Sequence, residues 1–423
     1  MDHLKTDQER KDRWYARNIV PEYVAVRSVD LEEMRQGIER CSNLTSSGDI
    51  SGIPSSLLIT HGEETQQYLR SHLRIYGFAV IQNVLKESEC NHALSLAWDY
   101  LEAASVAEQK FQESNSNQTH DTHININTPP PVRRGERETY KSQYFPRSVE
   151  GMIFPFYGSG HSSFMWYLRS HPQVQSVFAA LHSVKSSNEL ISSSLDGFIL
   201  WTDMDQDDDL DRGWFHIDQS PEKKPDFASF QGLVNLLPVT AKTGGNVLVV
   251  GSHRLFPEHY LQSNKTYGLF YKERLKEMDG DDWLEIDPND ELLQSERVIT
   301  CLLDPGDVLI WDSRTVHCSY REELESEQTS STGLDSQHGL VRAAGLVNMI
   351  PRIDIPAEVH SERLCAVSRS RTLTHWVNKA APLGEEREEE VRKEHCCVGY
   401  MKENVQNVLL SYEDLRDVQR NLI

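Results

Sequence analysis

The tightest constraint on this 423-residue chain is a short segment that puts two metal-binding side chains on one face of a strand. In Trp214-Phe215-His216-Ile217-Asp218, residues two apart point to the same side of extended backbone, so His216 and Asp218 can grip one ion together. Phe215 and Ile217 alternate with them, as expected of a strand that packs on one side and lines a polar cavity on the other. His-x-Asp on its own is common by chance. It gains weight from three features further along the chain: the turn Asp304-Pro305-Gly306-Asp307, the β-prone run Val308-Leu309-Ile310-Trp311, and then His317, 99 residues beyond Asp218. Two imidazoles and one carboxylate form a three-point facial set suited to ferrous iron, with the other octahedral positions open for a cosubstrate and dioxygen.

The ordered series is more specific than any one of its members. Gly213 to Gln219 is followed by Gln231-Gly232-Leu233-Val234-Asn235-Leu236, then Gly244 to His253, then Pro305 to Arg314 and His317. Together these segments resemble the phytanoyl-CoA dioxygenase-like iron(II)/2-oxoglutarate oxygenases, over roughly residues 65 to 352. The resemblance implies an α+β chain with a mainly β core: a double-stranded β-helix, the cupin-like jelly roll, with flanking α-helices. It further implies that His216, Asp218 and His317 are both catalytic and metal-binding, holding Fe(II). The cosubstrates it implies are 2-oxoglutarate and O2, with ascorbate as a further one it allows.

In such a site an arginine anchors the far carboxylate of 2-oxoglutarate through a two-pronged, charge-assisted pair that lysine does not reproduce. Arg342 takes this role by resemblance, because Val341-Arg342-Ala343-Ala344-Gly345-Leu346-Val347-Asn348 is similar to the family's last core strand. Ser319, on the face of His317, adds a hydroxyl contact, and Asn235 is carried over as a further cofactor-binding residue. One departure stands out. The family's arginine usually follows the last histidine by about ten residues, whereas Arg342 follows His317 by 25; a polar insertion over 322–339 accounts for the excess. Arg321 is the alternative, sharing the parity of His317, although four strand residues of about 3.3 Å put its backbone roughly 13 Å away. Arg314 has the wrong parity.

The carboxylate of Asp218 also bears on the chemistry. Related halogenases replace it with a small residue, so its presence favours hydroxylation or a kindred oxidation. The implied reaction oxidises a C–H bond of a small organic molecule while 2-oxoglutarate is decarboxylated to succinate. Two other readings remain open: a catalytically inactive jelly-roll binding protein, and a metal-dependent cupin-type isomerase or hydrolase.

Composition narrows the partners. With 43 basic and 65 acidic residues the net charge is −22, a field that repels polyanions and excludes nucleic acid as a partner. No apolar stretch approaches the roughly 20 residues that cross a bilayer, so no membrane association is expected. The charged N-terminus lacks a secretory core, the C-terminal Asn421-Leu422-Ile423 is not a Ser-Lys-Leu address, and seven scattered cysteines form no disulfide framework. These features point to the cytoplasm. They say nothing of oligomeric state.

Along the chain, residues 1–60 read as a partly helical N-terminal extension with a helix at Asp30 to Cys41. The oxygenase domain covers 61–352, with insertions at 110–150, 254–297 and 322–339, and 353–423 is a mainly helical extension. Within the domain, helices are expected at Glu63 to Tyr76, Glu87 to Glu108, Ser162 to His182 and around Lys272 to Met278. Strands are expected at Gly77 to Ile81 and Leu190 to Trp201, where Asp196 either faces the cavity or makes a structural hydrogen bond. His120/His123, the acidic run 203–211, Lys223-Lys224 and the charge run 385–394 read mainly as solvated loops or faces. His253 is assigned to a loop near the site.

Overall fold

A computed structural model describes residues 19, 21–35, 49–116, 130–148, 153–184, 191–202, 214–262, 267–277, 282–294, 297–320, 339–381 and 405–423. His120 and His123, the acidic run 203–211, Arg321, the 322–338 part of the expected insertion and the 385–394 run lie outside the described residues. The fold class is α+β and mainly β, with mixed β-sheet and flanking helices. Two compact units make it up: residues 1–84, 210–232 and 238–330 in the first, and 85–209, 233–237 and 331–423 in the second.

In the first unit, nine strands lie side by side. Their order is Leu284–Glu285, His216–Ile217, His317–Tyr320, Gly245–Val249, Val298–Leu302, Glu22–Ser28, Asp49–Pro54, Phe78–Gln82 and Val308–Asp312. The pairings that involve Asp49–Pro54, and that of Glu22–Ser28 with Val298–Leu302, are parallel; the others are antiparallel. Phe78–Gln82 and Val308–Asp312 are buried along their whole length, as their nearly unbroken apolar sequences require. The N-terminal 60 residues supply two of these strands in addition to a short helix, Leu31–Arg35. Beneath the site strands, Phe215 and Ile217 join a core with Val247, Val249, Tyr271, Leu284 and Val316.

The joint between the helix Gly62–Tyr76 and the strand Phe78–Gln82 fixes several neighbours at once. Gly77, at φ +83°, closes the helix in the left-handed region and donates its N–H to the Leu73 carbonyl. Its own carbonyl accepts from the Asp312 N–H at 2.8 Å and from Thr315 Oγ1 at 2.9 Å. A Cβ at this position would stand 2.5 Å from His253 Nδ1 and 2.6 Å from Thr315 Oγ1. Asp307 fixes the turn before Val308–Asp312 in a similar way, its carboxylate accepting the N–H groups of Asn83 at 2.9 Å and Asp304 at 3.1 Å.

In the second unit, Ile153–Phe154, Phe198–Thr202 and Leu340–Leu346 lie side by side, the last also pairing with residues 233–235. Ile191–Ser193 pairs with Met349–Pro351 in a separate small sheet. The helices Glu87–Ser116, Ser163–Arg169, Pro172–Leu181 and Ala357–Ser368 belong here.

Four expectations need correction. The single helix expected from Ser162 to His182 is two, because His171, preceding Pro172, is held extended at ψ 125°. The strand expected from Leu190 to Trp201 is also two, in different sheets, interrupted at residues 194–197, where Gly197 lies against the Phe154 carbonyl. Asp196, in that break, makes a structural hydrogen bond, accepting from Ser194 Oγ at 2.8 Å, and burial raises its carboxyl to about 7. The helix from Glu87 continues to Ser116, into the segment expected to be irregular. Finally, the described part of the C-terminal tail is less helical than expected: one helix of 12 residues and a single turn at Asp417–Arg420. What holds the tail is Arg363, which donates to the carbonyls of Ile423 at 2.8 Å, Val377 at 3.2 Å and Ser193 at 2.5 Å.

The joint at Gly77 can be tested in two ways. Gly77→Ala should cost about 1–3 kcal/mol, since the left-handed conformation and the contacts with His253 and Thr315 both oppose a methyl group; an unchanged denaturation midpoint would remove Gly77 from this role. One helical turn earlier, His72 is 3% exposed, neither ring nitrogen has a hydrogen-bond partner among the described residues, and burial lowers it to about 4. Because its folded pKa lies below 6.5, the stability that this neutral ring contributes is present above pH 6.5 and lost as the pH falls towards 4. His72→Phe should flatten the acid side of the stability curve between pH 6.5 and 4.5, and identical curves for both proteins would contradict this.

Candidate metal centre

The two histidines are brought together by strand register. His317 pairs directly with His216 across two antiparallel strands, placing the imidazole rings 4.4 Å apart between centroids. Asp218 lies two residues after His216, and its N–H donates to the Ser313 carbonyl at 3.2 Å. The three side chains then present His216 Nε2 3.6 Å from one carboxylate oxygen of Asp218 and His317 Nε2 3.2 Å from the other. One ligand atom from each residue lies within 4.8 Å of the rest.

The backbone sets the tautomers. His216 Nδ1 lies 3.1 Å from the Trp214 carbonyl and His317 Nδ1 lies 2.9 Å from the Thr315 carbonyl, in each case two residues back along the chain, just ahead of the strand. A carbonyl oxygen only accepts, so each Nδ1 carries a proton, and in the neutral ring the lone pair is on Nε2, the atom turned towards Asp218. Lone pairs facing an anionic carboxylate at these distances repel one another unless a positive charge sits between them. Donors about 2.1 Å from a first-row metal and at right angles are about 3.0 Å apart, against the 3.2 and 3.6 Å that separate the two Nε2 atoms from the Asp218 carboxylate. The residues therefore fit a divalent metal, with His216, Asp218 and His317 to hold it.

Surrounding groups constrain these ligands. Trp214 stacks on the His216 ring at 4.2 Å and 22°, and Trp283 meets Trp214 edge-on at 5.0 Å. Trp311 lies 5.2 Å from His317. Glu285 pairs across the strands with His216 and is fully buried in an ion pair with Arg274. Gln231 Nε2 donates to Asp218 Oδ2 at 2.9 Å. Ser313 Oγ donates to Gln219 Oε1 at 2.7 Å, tying the segment after Asp218 to the turn before His317.

The remaining sequence candidates divide between the units. Ser319 lies in the first, on the strand of His317, opposite Asn246. Arg342 and Asn235 belong to the second. Arg342 is 2% exposed with its guanidinium 4.3 Å above the Trp201 ring, and Asn235 Nδ2 donates to the Leu237 carbonyl at 2.8 Å. Arg314 is held by Asp312 in a bidentate pair of 2.9 and 2.7 Å. Lys224, read as an ordinary loop residue, pairs with Asp282 at 3.1 Å. His253 is buried in a 3-10 turn against the Arg74 carbonyl at 3.1 Å, and burial lowers its pKa.

Gln231 and Glu285 were missed as supports of the site. Gln231 stands inside a recognised motif, but its contact with Asp218 depends on strand register. Glu285 lies in a two-residue strand with no alternation from which to read a face.

Residues 210–323 match the family model for phytanoyl-CoA dioxygenase (PhyH). Among curated proteins, the Ava biosynthesis cluster protein O of Aspergillus versicolor is 28% identical over 197 residues, covering 44% of this chain and 57% of that protein, so the match spans little more than half of that relative. Among solved structures, the hypothetical protein JW0805 of Escherichia coli is 12% identical with a TM-score of 0.46, over 92% of this chain and 89% of that one. The non-heme α-ketoglutarate-dependent epimerase SnoN from nogalamycin biosynthesis is 14% identical with a TM-score of 0.34, over 68% and 83%. The matched segment begins before His216, ends after His317 and includes all three candidate ligands, and over these residues the chain is similar to phytanoyl-CoA dioxygenase (PhyH).

Proposed function

We propose that this protein is an iron(II)- and 2-oxoglutarate-dependent oxygenase that oxidises a C–H bond of a small organic molecule. The observation that carries the reading is the convergence of His216 Nε2, His317 Nε2 and the Asp218 carboxylate, with both imidazoles oriented by their own backbone. Support comes from the PhyH match, which spans these three residues. Bound iron would supply the activation of dioxygen coupled to decarboxylation of 2-oxoglutarate to succinate. The protein's part is to hold three donors on one side and leave the rest of the coordination sphere to cosubstrates. Gln231 fixes the carboxylate through Oδ2, and the Trp214 stack keeps the His216 ring from rotating.

Arg342 is assigned to the far carboxylate of 2-oxoglutarate from its place in the Val341–Asn348 motif. Ser319 and Asn235 are assigned to cofactor binding on the same resemblance. A flat guanidinium stacked on Trp201 has lost much of its freedom already, which favours a two-pronged pair. No helix among the described residues is long and apolar enough to cross a membrane.

His216→Ala should abolish iron- and 2-oxoglutarate-dependent succinate formation in a folded protein, and undiminished succinate would refute the metal assignment. Anaerobic titration with iron(II) and 2-oxoglutarate should raise a weak visible charge-transfer band in the parent protein but not in the variant. Gln231→Leu should weaken iron binding by about 10–100-fold while leaving the thermal midpoint nearly unchanged; unaltered affinity would reduce Gln231 to a packing residue. Arg342→Ala should raise the 2-oxoglutarate concentration needed for half-maximal turnover at least tenfold. The same rise from Arg321→Ala in place of Arg342→Ala would transfer the anchor to Arg321.

A further inference from the structure

A second recess lies within the first unit, and the reaction proposed above makes no use of it. Its volume is about 450 Å³, within the range of about 300–1,000 Å³ that small-molecule sites occupy. Four guanidinium groups line it: Arg70, Arg74, Arg254 and Arg314. Arg70 and Arg74 stand one turn apart on the helix Gly62–Tyr76, Arg254 follows His253, and Arg314 lies just past the Val308–Asp312 strand in its closing turn. One carboxylate lines the same recess, that of Asp312, and Arg314 already holds it through two hydrogen bonds. Lining cations thus outnumber lining anions four to one in a chain whose net charge is −22.

The rest of the lining is aromatic. Phe227 and Phe230 lie 4.7 Å apart between ring centroids, and Phe227 is 43% exposed although Arg314 covers it at 5.5 Å. His253 also lines the recess, its Nε2 held by the Arg74 carbonyl at 3.1 Å. Guanidinium groups bind phosphate or carboxylate through paired N–H donors, and phenyl rings with a half-exposed edge receive a flat apolar body. We infer that this recess is a binding site for a small aromatic organic anion, its phosphate or carboxylate held by Arg74 and Arg254 and its ring laid against Phe227 and Phe230.

The inference does not depend on the metal assignment, since none of the three ligands lines the recess. The two are nevertheless physically adjacent in the chain: the carbonyl of Ser313, between the lining residues Asp312 and Arg314, accepts the Asp218 N–H.

Isothermal titration of the full chain without added metal tests the site with 1-naphthyl phosphate, 1-naphthoate, 1-naphthol and inorganic phosphate. At least one naphthyl anion should bind ten times or more tightly than 1-naphthol and than inorganic phosphate, and the better anion tells whether phosphate or carboxylate is preferred. The double substitution Arg74→Gln and Arg254→Gln should weaken that anion at least tenfold; both side chains are exposed, so the unfolding midpoint should hold. If the double variant nevertheless fails to fold, Arg254→Gln alone, with the fall in affinity as salt is raised, decides the same point. His216→Ala should leave anion binding unchanged, which separates failure here from failure of the oxygenase reading. Equal affinity for 1-naphthol, anion affinity untouched by the arginine substitutions, or loss of binding in His216→Ala would each overturn the proposal.

Discussion

The structure of the site depends on one interaction: the antiparallel pairing that sets His317 opposite His216. Side chains alternate along a strand, so a slip of one residue would send His317 to the opposite face and bring a core residue in its place. Register must therefore be held from both sides. On one flank, residues 317–320 pair with residues 245–248 of the Gly245–Val249 strand; on the other, Leu284 and Glu285 pair with Ile217 and His216. The apolar residues that alternate with the ligands, Phe215, Ile217 and Cys318, are buried in the core shared by these strands. A slip would expose them, at roughly 1.5–3 kcal/mol for each large side chain. The hydrophobic core thus holds the register that brings the three donors together.

A second constraint is orientation, and here the backbone does what a distant carboxylate does in many metal sites. Each histidine gives its Nδ1 proton to the carbonyl two residues earlier, a partner fixed by the backbone just ahead of its strand. The arrangement follows from local conformation once the strands form, so both rings are aimed by the same rule. Asp218 lacks that local help. Its carboxylate is positioned by Gln231, and its backbone by Ser313, from parts of the chain 13 and 95 residues away. The acid is the ligand whose placement depends most on tertiary structure.

This difference explains what could be read from sequence. Parity along extended backbone suggested a common face for His216 and Asp218, which the structure brings together although the strand itself ends at Ile217, and turn chemistry at 304–307 located the strand that leads to His317. The helix Gly62–Tyr76 and the strand after it were legible for the same reason, through periodicity and Gly77. Two elements were misjudged where a single residue overrode a continuous apolar pattern: Pro172 divides one helix, and the close approach of Gly197 to the Phe154 carbonyl divides one strand. The strands Glu22–Ser28 and Asp49–Pro54 were missed because each is held by parallel pairing with residues well removed along the chain. Gln231 and Glu285 stayed hidden as supports for an equivalent reason: cross-strand neighbours are defined by register, which no local window contains.

The distribution of charge completes the picture. An excess of 22 negative charges would oppose any anionic reactant at long range, and the 2-oxoglutarate of the proposed reaction is itself a dianion. A protein of this composition can admit such molecules only through local positive fields stronger than the screened global one. Beyond about 8 Å at physiological ionic strength the net charge is largely screened, so a few guanidinium groups dominate inside a hollow. The recess lined by Arg70, Arg74, Arg254 and Arg314 is such a place, and the buried Arg342 is another. Both use arginine over a flat aromatic ring, Arg314 over Phe227 and Arg342 over Trp201, which keeps the cation planar and oriented while its charge is retained. Within the hollow Arg314 is already paired with Asp312, so the proposed anion would be held by the exposed Arg74 and Arg254.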